Sequence, residues 1–177
     1  MGNIEVEIRS FVSKDQYDRL MEFFNRNAKF VKEDYQETYY FDTKEDLRIQ
    51  KNNFFSKVWM KKGKLHDDFR EETEIKFDKN DFEKLEKLFL SIGINVKIKW
   101  FRKRFQFDWN DAKVCLDYTK GYGYILELEK LTSESGKEAV LKVLKEKMGK
   151  LGIEPTSKEE FDRKFKYYEE NWQRLVK

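Results

Sequence analysis

The sequence predicts an α+β protein in which antiparallel strands with two chemically distinct faces are accompanied by amphipathic helices. Charged and apolar residues alternate in several separate stretches, beginning with Glu5-Val-Glu7-Ile-Arg9. Side chains at i, i+2 and i+4 share one face of a strand, so each such stretch is charged on one side and apolar on the other. Four further stretches place apolar residues at helical spacing behind capping sequences. Apolar residues make up 39% of the chain, charged residues 40% and aromatic residues 16%, so burial must rest on a few large side chains.

The 177 residues suit one domain spanning 1–177. Pro155 is the only proline, and no Gly/Ser-rich linker marks a boundary. The net charge of +3 comes from 37 basic and 34 acidic residues mixed along the chain, which argues against nucleic-acid binding. One cysteine, Cys115, excludes an internal disulfide, and the lone His66 excludes a histidine-based metal centre. Neither a signal peptide nor a membrane-length apolar run is present, so the expectation is a soluble cytoplasmic protein.

After the first strand, Ser13-Lys-Asp-Gln16 forms a capping box for a helix with the stripe Tyr17, Leu20, Met21 and Phe24. Asp34 to Thr43 and Leu47 to Gln50 read as strands. Phe54 to Lys62 alternates again, with Lys57, Trp59 and Lys61 opposite Val58 and Met60. Gly63 to Asp68 is turn-like, and Arg70, Glu72, Glu74 and Lys76 then share a face of a strand ending at Phe77. Asn80 and Glu83 are placed to cap a helix with the stripe Phe82, Leu85, Leu88, Phe89 and Ile92, closed by Gly93. Arg102, Arg104 and Gln106 alternate with phenylalanines up to a hairpin turn at Trp109-Asn-Asp111. Lys113, Cys115 and Asp117 share the next charged face, and Glu127 and Glu129 the last, beyond Gly121-Tyr-Gly123. Ser135 and Glu138 are placed to cap a third helix, and Ser157 and Glu160 a fourth carrying Phe161, Phe165, Tyr168, Trp172 and Leu175.

The charged faces together hold Glu5, Glu7, Glu72, Glu74, Asp117, Glu127 and Glu129, and Arg9, Arg48, Lys57, Lys61, Arg70, Lys76, Arg102, Arg104 and Lys113. Two architectures fit. One is an open sheet with its charged face in water, and the other a barrel with that face inward. Repulsion between like charges rises several-fold in a partly dehydrated cavity, so a barrel lined this way needs a ligand. A polyanion with divalent metal ions would neutralise both sets, and triphosphate with magnesium or manganese is the smallest such ligand.

The motifs resemble those of the CYTH superfamily, the triphosphate tunnel metalloenzymes. Glu5-Val-Glu7-Ile-Arg9 is similar to the family's N-terminal Glu-x-Glu-x-Lys signature. The likeness continues through Tyr40-Phe-Asp42-Thr43, Leu47-Arg48-Ile49, Arg70-x-Glu72-x-Glu74, Arg102-x-Arg104, and Leu116-Asp117 to Glu127-x-Glu129. It covers roughly residues 4 to 130 in the family's order. The family includes class IV adenylyl cyclases and thiamine, inorganic and fungal-type RNA triphosphatases.

The resemblance implies a closed antiparallel barrel of about eight strands, a triphosphate tunnel, with helices outside. It also implies Mg2+ or Mn2+ on Glu5, Glu7, Asp117, Glu127 and Glu129. Glu72 and Glu74 would bind metal or hold the basic residues in place. Arg9, Arg48, Lys57, Lys61, Arg102 and Arg104 would grip phosphate, with Arg70 and Lys76 on the same charged face. Glu127, Glu129 and Arg9 are the candidate catalytic residues. The implied activity is hydrolysis of inorganic triphosphate, ATP or thiamine triphosphate. The alternatives are cyclisation of ATP to cyclic AMP and pyrophosphate, or binding of nucleotide or polyphosphate without turnover, by a monomer or homodimer. The chain departs from the signature at Arg9, because arginine does not release its proton and cannot act as a general base. Cys115 reads as a small buried hydrophobe, His66 as a loop residue and Trp59 as packing at a tunnel mouth.

Overall fold

A computed structural model describes residues 4–62 and 72–177. The expected class is present, with eight strands and four α-helices. In order these are β1 (Ile4–Val12), α1 (Lys14–Asn27), β2 (Lys29–Phe41), β3 (Asp46–Lys51), β4 (Ser56–Lys61), β5 (Glu72–Phe77), α2 (Phe82–Ser91), β6 (Val96–Trp109), β7 (Ala112–Thr119), β8 (Gly123–Thr132), α3 (Lys137–Lys150) and α4 (Lys158–Leu175). The antiparallel strands follow the hydrogen-bonded order β1-β8-β7-β6-β2-β3-β4-β5. That order has β1 and β5 as its ends, so the circle implied by the resemblance is not drawn by the backbone ladders of the described residues. Two compact units share the chain: 1–33, 104–118 and 123–161 in the first, and 34–103, 119–122 and 162–177 in the second.

In the first unit the strand alternation decides what is buried. Val6, Ile8 and Val12 of β1 meet Val114 and Leu116 of β7, Leu126 and Leu128 of β8, and the α1 stripe Tyr17, Leu20 and Phe24. Leu144 and Met148 of α3 complete this core. The capping box opens α1: Gln16 N donates to Ser13 Oγ at 3.1 Å and Ser13 N to Gln16 Oε1 at 2.8 Å. Phe24 packs at 5.7 Å against Phe107 and edge-on at 5.5 Å against Trp109. The β6–β7 turn falls at Asn110 and Asp111, both in the left-handed region at φ 48° and 61°, the conformation of a type I′ hairpin. The outer edge of β1 is covered by the segment around Pro155. Thr156 N donates to Arg9 O at 3.1 Å, and Phe11 N to Thr156 Oγ1 at 2.9 Å.

The second unit has two clusters. Tyr39, Phe41, Ile49 and Phe82 form one, packed by Leu85 and Phe89 of α2; Ile98, Trp100 and Tyr168 form the other, packed by Phe165 and Trp172 of α4. Buried polar tips find partners: the Tyr168 hydroxyl donates to Lys99 O at 3.0 Å and Trp172 Nε1 to Lys97 O at 3.1 Å.

Several boundaries differ from expectation. The second strand starts five residues earlier than Asp34, at Lys29, and ends at Phe41. β4 begins at Ser56 because Asn52 Oδ1 accepts from the amides of Phe54 and Phe55, turning the chain there. Asp78, not Asn80 with Glu83, supplies the cap before α2, accepting from Asn80 N at 2.8 Å and opening a 3-10 turn at Lys79–Asp81. α3 likewise follows a 3-10 turn, Glu134–Gly136, and makes no side-chain cap bond at Ser135 or Glu138. Leu88 and Ile92 are 54% and 65% exposed. At about 100° per residue Leu88 lies about 120° from Phe82 on the helix, and Ile92 is past its last residue. Gly63 to Asp68, with His66, and Arg70 lie outside the described residues. No described helix is long and apolar enough to cross a membrane.

Truncating Phe24 to alanine is expected to cost about 3–5 kcal/mol in denaturant unfolding, because the cavity is ringed by aromatic groups that cannot collapse into it. Leu88→Ala, on the exposed side of α2, is expected to change stability by less than about 0.5 kcal/mol in the same measurement.

Candidate functional site

The charged faces read from sequence exist in both units. In the first unit, the β1–β8 register sets Glu7 opposite Glu129 and Arg9 opposite Glu127, because Ile8 pairs with Leu128 on the apolar face. Glu127 and Glu129 are 6% and 5% exposed, and Asp117 of β7 is 1% exposed. Oxygens of Glu5, Glu7 and Glu129 lie within 4.8 Å of one another, as do ligand atoms of Cys115, Glu127 and Glu129. Asp117, Glu72 and Glu74 belong to neither grouping.

Basic side chains balance part of this charge. Arg104 forks onto Asp117, with Nε at 2.8 Å from one oxygen and NH2 at 2.7 Å from the other, and also bonds Glu127. Burial works against the Arg104 charge, but Asp117, Cys115 and Glu127 outweigh it and hold the guanidinium firmly protonated. Lys113 bonds Glu129, and its pKa is raised in the same way against burial. Arg9 Nε lies 2.9 Å from Glu7 Oε1, and its guanidinium stands 4.8 Å above the Phe161 ring.

Glu7 is the group this pairing leaves strained. Burial first, then the neighbouring carboxylate of Glu127, push it up to about 7, with Arg9 opposing and Glu129 and Glu5 adding to the rise. Its side chain is still a quarter exposed, so solvent reaches it. The Cys115 thiol is also pushed up by burial and stays a thiol, in line with the expected small buried hydrophobe.

In the second unit, Lys57 bonds Glu74 at 2.6 Å and Lys61 bonds Glu72 at 2.9 Å across the β4–β5 ladder. Burial works to raise the Glu74 pKa, but the Lys57 hydrogen bond and charge bring it below the ordinary value. Arg48 grips Asp46, with Nε 2.6 Å from Oδ1, and lies 4.2 Å over the Tyr40 ring. Trp59 stays on this charged face, 4.4 Å under Lys57 Nζ. Lys76 is exposed, 3.9 Å from Glu74. Arg102 donates from Nε and NH2 to Gln36 Oε1 at 2.8 and 2.6 Å, and Gln36 Nε2 in turn donates to buried Asp34 at 2.9 Å.

Asp46, Gln36 and Asp34 are polar partners along these basic side chains that the motif reading passed over. The period-two run Asp34, Gln36, Thr38 was the available signal: all three are buried on one face of β2.

Comparison with known proteins places the chain in a family. The CYTH domain profile matches residues 3–161, and the chain belongs to the CYTH domain family. A Methanocaldococcus jannaschii protein named "Putative adenylate cyclase" is 33% identical over 163 residues, covering 85% of this chain and 90% of its own length. Among solved structures, a conserved hypothetical protein from Pyrococcus furiosus superposes with a TM-score of 0.73 at 22% identity, over 85% of this chain and 91% of that one. A Hippeastrum adenylyl cyclase homologue, described as having a dominant triphosphatase activity, superposes with a TM-score of 0.66 at 20% identity, over 92% and 95% of the two chains. These structural likenesses establish the shared fold.

Two outcomes follow from the geometry. Arg104→Ala leaves buried Asp117 and Glu127 without their shared cation, and is expected to destabilise the protein by about 3–5 kcal/mol in denaturant unfolding. A carboxyl whose folded pKa is raised contributes most below its unfolded value and loses that contribution as pH climbs through the folded one, here about 7. In chelator, Glu7→Gln is therefore expected to raise Tm relative to wild type more at pH 8 than at pH 5.

Proposed function

We propose that the protein is a metal-dependent triphosphatase that cleaves a phosphoanhydride bond of inorganic or organic triphosphate. The observation that carries this reading is the Glu5, Glu7 and Glu129 grouping, in which oxygens of three carboxylates lie within 4.8 Å of one another, a set whose charge a divalent cation would neutralise. An oxygen-only donor set of this kind fits Mg2+ or Mn2+. Glu5, Glu7 and Glu129, with Glu127 beside them, are the residues that would hold the ion. Bound there, it supplies Lewis-acid charge for phosphate oxygens.

The protein's own groups have separate tasks in this reading. Arg48, Lys57, Lys61, Arg102 and Arg104 neutralise phosphate oxygens, with Arg104 and Lys113 releasing part of their hold on Glu127 and Glu129 as the ligand arrives. Asp46, Glu72, Glu74 and Asp117 keep those cations aimed. Arg9 stays charged throughout and adds positive charge without accepting a proton. Glu127 and Glu129 orient the attacking water.

A second reading, class IV adenylyl cyclase, is favoured by the 33% identity to the Methanocaldococcus jannaschii protein named "Putative adenylate cyclase". There the ribose 3′-hydroxyl of ATP attacks the α-phosphorus, and pyrophosphate leaves.

The test is to incubate purified protein with tripolyphosphate, ATP or thiamine triphosphate and Mg2+ or Mn2+, measuring phosphate and cyclic AMP. Phosphate release is expected, abolished by chelator and reduced at least about 100-fold in Glu127→Gln/Glu129→Gln. Cyclic AMP as the main product from ATP establishes the second reading instead. Tight triphosphate binding with no turnover makes the protein a binder.

A further inference from the structure

The second unit contains a cavity of about 480 Å3 that shares no residue with the charged faces. Its lining is Gly121 and Tyr122 from the β7–β8 turn, and Arg163, Lys164, Tyr167 and Tyr168 from α4. The volume falls in the range of small-molecule sites, roughly 300–1,000 Å3.

The chemistry of the walls is specific. Helical spacing of four puts Arg163 beside Tyr167 and Lys164 beside Tyr168, giving two parallel rows that each pair a cation with a phenol ring. The inner side is rigid: the Tyr122 ring lies 4.5 Å from Trp100 and 5.6 Å edge-on from Tyr168, whose hydroxyl is tied to Lys99 O. Gly121 is needed for the turn to lie this close to α4. It has φ +76°, and a Cβ there would sit 2.6 Å from Leu175 Cβ. The accessible aromatic surface is that of Tyr122 and Tyr167, with Tyr168 fully buried behind them, and Arg163 and Lys164 are the charged residues among the described lining.

We propose that this cavity binds a small anion carrying a flat aromatic ring, of the size and charge of a nucleoside monophosphate. The ring packs against Tyr122 and Tyr167, and the anionic group is met by Arg163 and Lys164. With Arg163 and Lys164 as the anion's partners the proposed binding calls for no metal, which separates it from the triphosphate reading.

The probe is AMP, titrated calorimetrically in chelator, with adenosine and inorganic phosphate as the ring-only and anion-only arms. AMP is expected to bind at least about five-fold more tightly than either arm, since ring stacking and charge add. Tyr167→Ala and Arg163→Ala, both at exposed positions, are each expected to weaken AMP at least about five-fold while leaving metal-dependent tripolyphosphate hydrolysis unchanged. AMP binding that is absent up to about 10 mM, that survives both substitutions, or that phosphate alone equals overturns the proposal. Loss of AMP binding in these variants supports it whether or not tripolyphosphate is hydrolysed.

Discussion

Glu7 and Glu129 stand directly opposite each other in the β1–β8 ladder, and the arrangement of the first unit's charges follows from that opposition. Like charges in this position are unfavourable. They are held there by the other face. The register that pairs Ile8 with Leu128 also buries Val6 and Leu126, and four such side chains contribute roughly 6–12 kcal/mol. Two carboxylates about 4 Å apart oppose this by roughly 4 kcal/mol at an effective dielectric of 20. Apolar burial wins, and the strand period of two then leaves the carboxylates no alternative face. Lys113 on Glu129 and Arg104 on Glu127 reduce the cost, and Glu7 absorbs the remainder as a raised pKa.

The second unit solves the opposite problem of holding several cations on one face. Each has a carboxylate or a ring beside it: Lys57 has Glu74 and Trp59, Lys61 has Glu72, and Arg48 has Asp46 and Tyr40. Partly exposed pairs such as Lys57–Glu74 and Lys61–Glu72 add only about 0–1 kcal/mol each, so stability is a poor reason for them. Positioning is a better one, since a side chain already restrained loses less entropy when it meets an anion.

Alternation made most of this legible in the sequence. It assigned the faces of β1, β4, β7 and β8 correctly, because a half-buried strand shows its environment every second residue. It also located the turn at Asn110 and Asp111, whose residue types favour positive φ. Helix starts were less legible. Ser13 and Ser157 lie directly before regular helix and do accept from the third residue on, whereas α2 and α3 are entered through 3-10 turns that move the cap upstream or remove it. The Arg102–Gln36–Asp34 relay could not be read from motifs, because its partners are 66 residues apart and one of them is an uncharged amide.

Arg9 is where the chain leaves the family's signature, and its surroundings suit a guanidinium. Nε reaches back along the strand to Glu7, two residues away on the same face, while the plane of the group lies over Phe161, itself stacked on Phe11 at 4.5 Å. One planar group thus meets a carboxylate at its edge and a ring at its face, which a compact ammonium cannot do with equal directionality. The consequence reaches the carboxylate grouping: Arg9 opposes the rise of the Glu7 pKa that burial and the neighbouring carboxylates cause. A guanidinium fixed beside Glu7 favours that carboxyl's charged form, the form the proposed metal binding calls for. An arginine here does not serve as a base, so in the proposed reaction this position contributes electrostatics alone.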